Sequence, residues 1–186
     1  PGRLPSSFVD LAARPGWARI RASSVEPCEV GEPSFLCRRL PWTRTRIAAV
    51  IEHGGGPARA GLLVRTSEHA FLEFTVDADG RLRADLVVEG VRAQVARSDG
   101  APTLVEMAIE LDGFAARLRV DGRTLAVVDV RDLAPDGSRT FMGPWVGVLA
   151  LGEGFVDVDR VTWSCLDHGS GISVEDPAGP GYIDPN

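Results

Sequence analysis

Apolar and polar residues alternate with a period of two along most of this chain, and Gly, Asp and Pro break the alternation at short intervals. Successive side chains of a β-strand point to opposite faces, so this pattern predicts strands with one buried face. Helical spacing is nearly absent. Strands are expected over 17–22, 34–40, 43–52, 60–66, 70–76, 81–89, 91–97, 103–111, 114–120, 124–130, 145–151 and 156–166. In the third, Thr45, Ile47, Ala49 and Ile51 share one face, with Arg44, Arg46, Ala48 and Val50 on the other. Asp77-Ala78-Asp79-Gly80, Glu89-Gly90, Asp112-Gly113 and Asp121-Gly122 are turn signals, because Asp and Gly tolerate the backbone that tight hairpins need. Short helices are expected only over 9–13 and 130–133. Many short strands with turns roughly every 8–12 residues predict an all-β, antiparallel two-sheet β-sandwich. Residues 1–166 form its single domain, and the Gly-, Pro- and Asp-rich residues 167–186 are expected to be an extended or mobile tail.

The 186 residues are enough to bury a core. A formal charge of −6 argues against nucleic-acid or anionic-membrane binding. No apolar run reaches the ~20 residues of a membrane span, and no signal-peptide pattern opens the chain. The first residue is Pro1 rather than Met, so a processed form or a piece of something longer is expected. Cys28, Cys37 and Cys165 have no C-x-x-C spacing and make neither a disulfide framework nor a zinc signature. Free thiols, and with them a cytoplasmic location, are the expectation. All 20 basic residues are Arg.

Four segments, in this order, resemble the C-terminal β-sandwich domain of glycoside hydrolase family 43 β-xylosidases. They are Arg14-Pro15-Gly16-Trp17-Ala18-Arg19-Ile20, Pro33-Ser34-Phe35-Leu36-Cys37-Arg38-Arg39, Ala60-Gly61-Leu62-Leu63-Val64 with His69-Ala70-Phe71-Leu72 after it, and Phe141-Met142-Gly143-Pro144-Trp145-Val146-Gly147-Val148. The likeness runs from about Ser6 to Leu166. It implies a concanavalin-A-like jelly roll. The connection before Phe141 is shorter than in that family, and its aromatic loop reaching into a neighbouring catalytic pocket has no counterpart here. The five-bladed propeller that holds the family's catalytic carboxylates is missing from this chain, so the resemblance implies the fold and not xylosidase activity.

Parity places Ile47, Ile51, Leu62, Val64, Leu72, Phe74, Leu118 and Val148 in the core. It turns Arg44, Arg46, Arg65, Glu73, Arg83, Asp85, Glu106, Arg117, Arg119 and Trp145 outward. In jelly-roll lectins and glucanases the outward face of one sheet is the ligand groove. Arg46, Arg65, His69, Glu73 and Trp145 are therefore the expected ligand-binding residues: Arg forks for hydroxyl or carboxylate, and Trp for an apolar face. The alternative is an ordinary solvated face with cross-strand ion pairs. His53, in a Gly-rich turn, and His168, in the tail, have no neighbour at metal-ligand spacing. Asp157 and Asp159 could supply two Ca²⁺ ligands, but one pair falls far short of a cage, so no cofactor is expected. The glucanase pattern E-x-D-x-x-E is absent, as are G-x-S-x-G and H-E-x-x-H, and no catalytic residue is assigned. The first functional reading is a non-catalytic module that binds a glycan or packs on a glycosidase catalytic domain. The second is a stand-alone small-molecule-binding protein, or an isomerase or cyclase using the sandwich groove. A structural or oligomerising role is third.

Overall fold

The computed structural model describes residues 4–40, 44–53, 56, 58–133 and 144–166. Among them the strands are β1 (Val9–Asp10), β2 (Ala18–Arg21), β3 (Ser34–Arg39), β4 (Arg44–Glu52), β5 (Arg59–Ser67), β6 (Ala70–Val76), β7 (Leu82–Val88), β8 (Val91–Ser98), β9 (Leu104–Asp112), β10 (Ala115–Val120), β11 (Arg123–Asp129), β12 (Trp145–Leu151) and β13 (Phe155–Cys165). They form a seven-stranded sheet in the order β1-β2-β13-β4-β9-β10-β11 and a six-stranded sheet in the order β3-β12-β5-β6-β7-β8. The named strand pairs are antiparallel, as the alternation predicts. No helix among the described residues is long and apolar enough to cross a membrane. The expected tail, with His168, lies outside the described residues.

The turns follow their residues. Glu89 and Gly90 both have positive φ (50° and 81°), and so do Asp121 and Gly122 (46° and 77°). Consecutive positive φ angles fit two-residue turns whose twist matches the flanking strands. Asp77 Oδ1 accepts from the amides of Asp79 and Arg81, each at 2.9 Å, and so organises the β6–β7 turn. The helix expected over 9–13 does not form. Val9 and Asp10 instead pair with β2, opposite Ile20 and Arg19. Asp10 Oδ1 accepts from the amides of Ala12 (2.8 Å) and Ala13 (3.0 Å), a local side-chain bond that competes with helix. The second expected helix is a single 3₁₀ turn, Arg131–Leu133.

The eight side chains that parity points inward are all buried, and Ile47, Ile51, Leu62, Leu72, Phe74, Leu118 and Val148 are completely inaccessible to solvent. They join Met107 and Ile109 of β9 and Val156 and Val158 of β13 in one core between the sheets. A second apolar cluster forms on the other side of the six-stranded sheet. Leu63, Phe71, Val87, Leu149 and Leu151 are buried there, with Phe35 packed against them. Strand β5 serves both clusters, which explains its unbroken run Ala60-Gly61-Leu62-Leu63-Val64. On the outward side of that run, a Cβ at Gly61 would lie 1.9 Å from the Phe74 carbonyl oxygen, so no larger residue fits without moving β6. Ile47→Ala should cost about 2–5 kcal/mol in urea unfolding. Val91→Ala, at a position 72% exposed, should stay within about 0.5 kcal/mol. Equal small losses at both would contradict this core.

Candidate functional site

The five expected ligand residues do not share one face. Arg46 lies on β4 in the seven-stranded sheet, while Arg65, Glu73 and Trp145 lie on β5, β6 and β12 of the six-stranded sheet. Parity separates inward from outward, but each sheet has its own outward face, so Arg46 points away on the opposite side of the sandwich. There it belongs to a cross-strand charge ladder. Arg46 Nη2 is 2.8 Å from Glu106 Oε1 and its Nε is 3.5 Å from Glu110 Oε1, while Arg117 and Arg119 approach Glu110 at 3.4 and 3.2 Å. His69 occupies the β5–β6 turn and is exposed. Its carbonyl accepts from the Gly90 amide at 2.9 Å, and its own amide donates to Ser67 Oγ at 3.2 Å.

Arg65, Glu73 and Trp145 do share the outward face of the six-stranded sheet. In register, Trp145 pairs with Arg39 and Arg65, Arg65 with Phe71, Phe71 with Val87, and Val87 with Arg92. One cross-strand row thus runs Arg39–Trp145–Arg65–Phe71–Val87–Arg92. The Arg39 guanidinium lies 5.6 Å from the centre of the Trp145 ring, and that of Arg92 lies 5.6 Å from the centre of Phe71. Leu63, Glu73 and Asp85 stand opposite one another in the neighbouring row.

The groove expected on this face is occupied by the chain itself. The connection from β2 to β3 crosses it. Ser23 bonds both sides of the strand end, its amide to the Ala150 carbonyl at 3.2 Å and its carbonyl to the Gly152 amide at 2.9 Å. Pro27 is buried, and its carbonyl accepts from Arg65 Nε at 3.2 Å. Glu26 reaches Arg59 Nη2 at 2.6 Å. Glu73, expected to face solvent, is only 2% exposed. The sequence reading missed Glu26, Arg59 and Arg92 as parts of this face. Residues 23–33 show no alternation, and nothing in their spacing says which sheet they cross.

The two buried carboxylates and the half-buried Glu26 are met by three arginines. Arg59 Nη2 is 3.2 Å from Glu73 Oε1 as well as bonded to Glu26. Arg92 Nη1 lies 2.9 Å from Asp85 Oδ2 and 3.6 Å from Glu73 Oε2, the second close enough for attraction but too long for a hydrogen bond. Arg83 Nε holds Asp85 at 2.7 Å. Glu26, Glu73 and Asp85 therefore balance Arg59, Arg83 and Arg92. Burial pushes the Glu73 carboxyl above the ordinary glutamate range, and Arg59 and Arg92 pull it part of the way back. Glu73 Oε2 and Arg59 Nε are buried without a hydrogen-bond partner. Cys37, on the same face, is raised to about 11 by burial, so its thiol is not a nucleophile near neutral pH. Both carboxylates that face each other here lie against guanidinium groups. Among the described residues no group of three or more His, Cys, Asp or Glu could hold a metal ion. The described cysteines are free thiols.

Comparison with known proteins supplies a family. Residues 3–164 match the family described as the β-xylosidase C-terminal concanavalin A-like domain. The GH43 protein BlXynB of Bacillus licheniformis superposes with a TM-score of 0.77 at 14% identity, over 88% of this chain and 36% of that one. A xylan β-1,4-xylosidase from Bacillus halodurans superposes with a TM-score of 0.74 at 18% identity, over 87% of this chain and 35% of that one. A functionally unknown protein from Saccharomyces cerevisiae gives a TM-score of 0.61 at 11% identity, over 85% of this chain and 91% of that one. The chain thus spans about a third of the length of these GH43 structures. No curated protein matches the sequence.

The displaced carboxyl of Glu73 predicts a pH dependence with a definite sign. Its folded form holds a proton to higher pH than its unfolded form, so its contribution to stability is full below about pH 4.3 and is lost as pH rises through the folded value. Asp157, lowered chiefly by its hydrogen bond from Arg19, acts in the opposite sense, losing its contribution as pH falls below about 3.9. Urea unfolding of Glu73→Gln and the parent between about pH 4 and 7 should show the variant gaining relative to the parent as pH rises. A difference that is flat or falls with pH would contradict the burial of a titrating carboxylate at this position.

Proposed function

Because the chain belongs to the family of β-xylosidase C-terminal concanavalin A-like domains, we propose that it acts as a non-catalytic module that packs on a glycoside hydrolase catalytic domain. The observation that carries this reading is the closed outward face. A sheet groove that holds glycan must be open, whereas here the β2–β3 connection lies over it through Ser23, Glu26 and Pro27, and Glu73 is 2% exposed. The end of the face at the margin of this cover carries Arg39, Trp145, Arg65, which is bonded to Pro27, and, on the adjoining turn, His69. Trp145 and Arg65 are half-buried and His69 is exposed. Arg and Trp are the residue types that dominate protein–protein contacts, so this rim is the proposed contact with the catalytic domain.

A second reading has one observation in its favour. The fold makes up nearly all of the yeast chain, 91% of it, so this sandwich also occurs without a large partner domain in the same chain. A free-standing small-molecule-binding protein, or an isomerase or cyclase, would then need a pocket other than the covered face.

The test mixes this chain with a family 43 catalytic domain in a titration calorimeter and assays both for cleavage of 4-nitrophenyl xyloside. The chain alone should show no turnover. It should bind the catalytic domain, and Trp145→Ala or Arg65→Ala should weaken that binding by about 1–3 kcal/mol. Turnover by the isolated chain that Glu73→Gln abolishes, or xylo-oligosaccharide binding lost in Arg65→Ala, would overturn the reading.

A further inference from the structure

The outward side of the seven-stranded sheet carries charges in a different proportion from those of the covered face. At its centre Glu110 of β9, 6% exposed, stands opposite Arg46 of β4 and Arg117 of β10. Three guanidinium groups converge on that one carboxylate. Arg46 approaches through Nε at 3.5 Å, Arg117 through Nη1 at 3.4 Å and Arg119 through Nη1 at 3.2 Å. All three are longer than the roughly 2.7–2.9 Å of a well-formed charge-assisted bond. Arg46 Nη2 makes one such bond, to Glu106 Oε1 at 2.8 Å. Three cations against Glu106 and Glu110 leave one positive charge, and like charges this close repel one another.

Nothing beside the cluster cancels that excess. Arg44 and Asp112 form a neutral pair at 3.0 Å. Asp121 accepts from the Glu106 amide at 2.9 Å and bonds none of these arginines. Arg160, exposed on β13 opposite Val50, adds a cation with no ion pair or hydrogen bond among the described residues. Each guanidinium has five N–H donors. Arg117 uses one on Glu110, and Arg119 uses one on Glu110 and one on the Gly122 carbonyl. The side chains of Arg46, Arg117 and Arg119 keep 30%, 23% and 31% of their surface exposed, so their remaining donors can be reached from solvent.

A carboxylate laid on the solvent side of Glu110 would meet those donors, and its planar pair of oxygens matches the arginine fork. The next strand supplies a second kind of contact. Ser164 of β13 lies opposite Arg46 and Thr162 opposite Ala48, both exposed and with no hydrogen bond among the described residues. Adjacent strands are ~4.8 Å apart, so these hydroxyls stand one strand from the arginines. A hydroxyl both donates and accepts, which suits it to hydroxyls on the ligand. We propose that this face binds an acidic sugar, a uronate, whose carboxylate is held by Arg46, Arg117 and Arg119 and whose hydroxyls meet Ser164 and Thr162. The proposal does not rest on docking to a catalytic domain and survives if that reading fails.

The test is an NMR titration of the full chain with D-glucuronate at low salt. D-glucose, which lacks the carboxylate, and acetate, which lacks the hydroxyls, are the controls. Glucuronate should shift the backbone amides of Arg46, Glu110, Arg117 and Ser164 saturably, and should bind about tenfold more tightly than either control. Arg117→Gln should weaken it about tenfold. Arg160→Gln, at an exposed position without a partner, is a second charge variant that leaves the fold alone and should also weaken binding. Absence of shifts on this face with glucuronate would overturn the proposal. So would glucose binding as tightly, or acetate binding as tightly, which would leave a bare oxyanion site. Unchanged affinity in both variants would overturn it too.

Discussion

Glu73 is a carboxylate placed among Leu63, Phe71 and Leu149 on what strand parity makes the outer side of a sheet. Removing such a group from water costs several kcal/mol unless cations and hydrogen-bond donors replace the solvent. The architecture of the six-stranded sheet's outward face follows from meeting that requirement. Arg59 reaches Glu73 from the flanking strand β5 and Arg92 from β8, across β7, and Asp85 and Glu26 in turn hold those guanidinium groups. A network of this kind needs cations that can serve two carboxylates at once. Arg59 Nη2 does so between Glu26 and Glu73, and Arg92 Nη1 between Asp85 and Glu73. This chain has no lysine, so arginine supplies every cation of the network.

The cover supplied by residues 23–33 and the charges beneath it depend on each other. Without Glu26 and the Pro27 carbonyl, Arg59 and Arg65 would lose partners, and Leu149 and Leu151 would lie open to water. Without the apolar cluster, the connection would have no surface to pack on. The result is a sheet whose central strands β12, β5 and β6 are buried on both faces along most of their length, in a fold whose outward faces are ordinarily solvated. A module built this way offers partners its rims and ends rather than a sheet groove. The rim at Arg39, Trp145 and Arg65 is the place proposed above.

Most of the sandwich was legible in the sequence because a strand writes its two faces directly into alternate residues. Ile47 and Ile51 announced themselves in that way, and Asp121-Gly122 announced its turn. The site was less legible, for identifiable reasons. Arg46 and Arg65 have the same parity, yet parity does not say which of two sheets a strand joins. Leu63 and Phe71 look like minor irregularities in an outward pattern until a distant connection is seen to cover them. Pro27 owes its burial to Arg65, 38 residues on, and His53 owes its orientation to Pro102, 49 residues on. Local pattern carries neither contact. The motifs that resembled a family carried further, since the order of segments encodes the topology that individual strands do not.

The β2–β3 connection is seated on the six-stranded sheet through Ser23, Glu26 and Pro27, and a double-mutant cycle measures the charged part of that contact. Glu26→Gln, Arg59→Gln and the double variant, each unfolded in urea at low salt, isolate the coupling between the cover and the sheet. The two side chains are each about a third exposed, so solvent screens part of the attraction. A favourable coupling of about 0.5–1 kcal/mol that shrinks as salt is added is expected. Losses that add within about 0.3 kcal/mol at every salt concentration would contradict it.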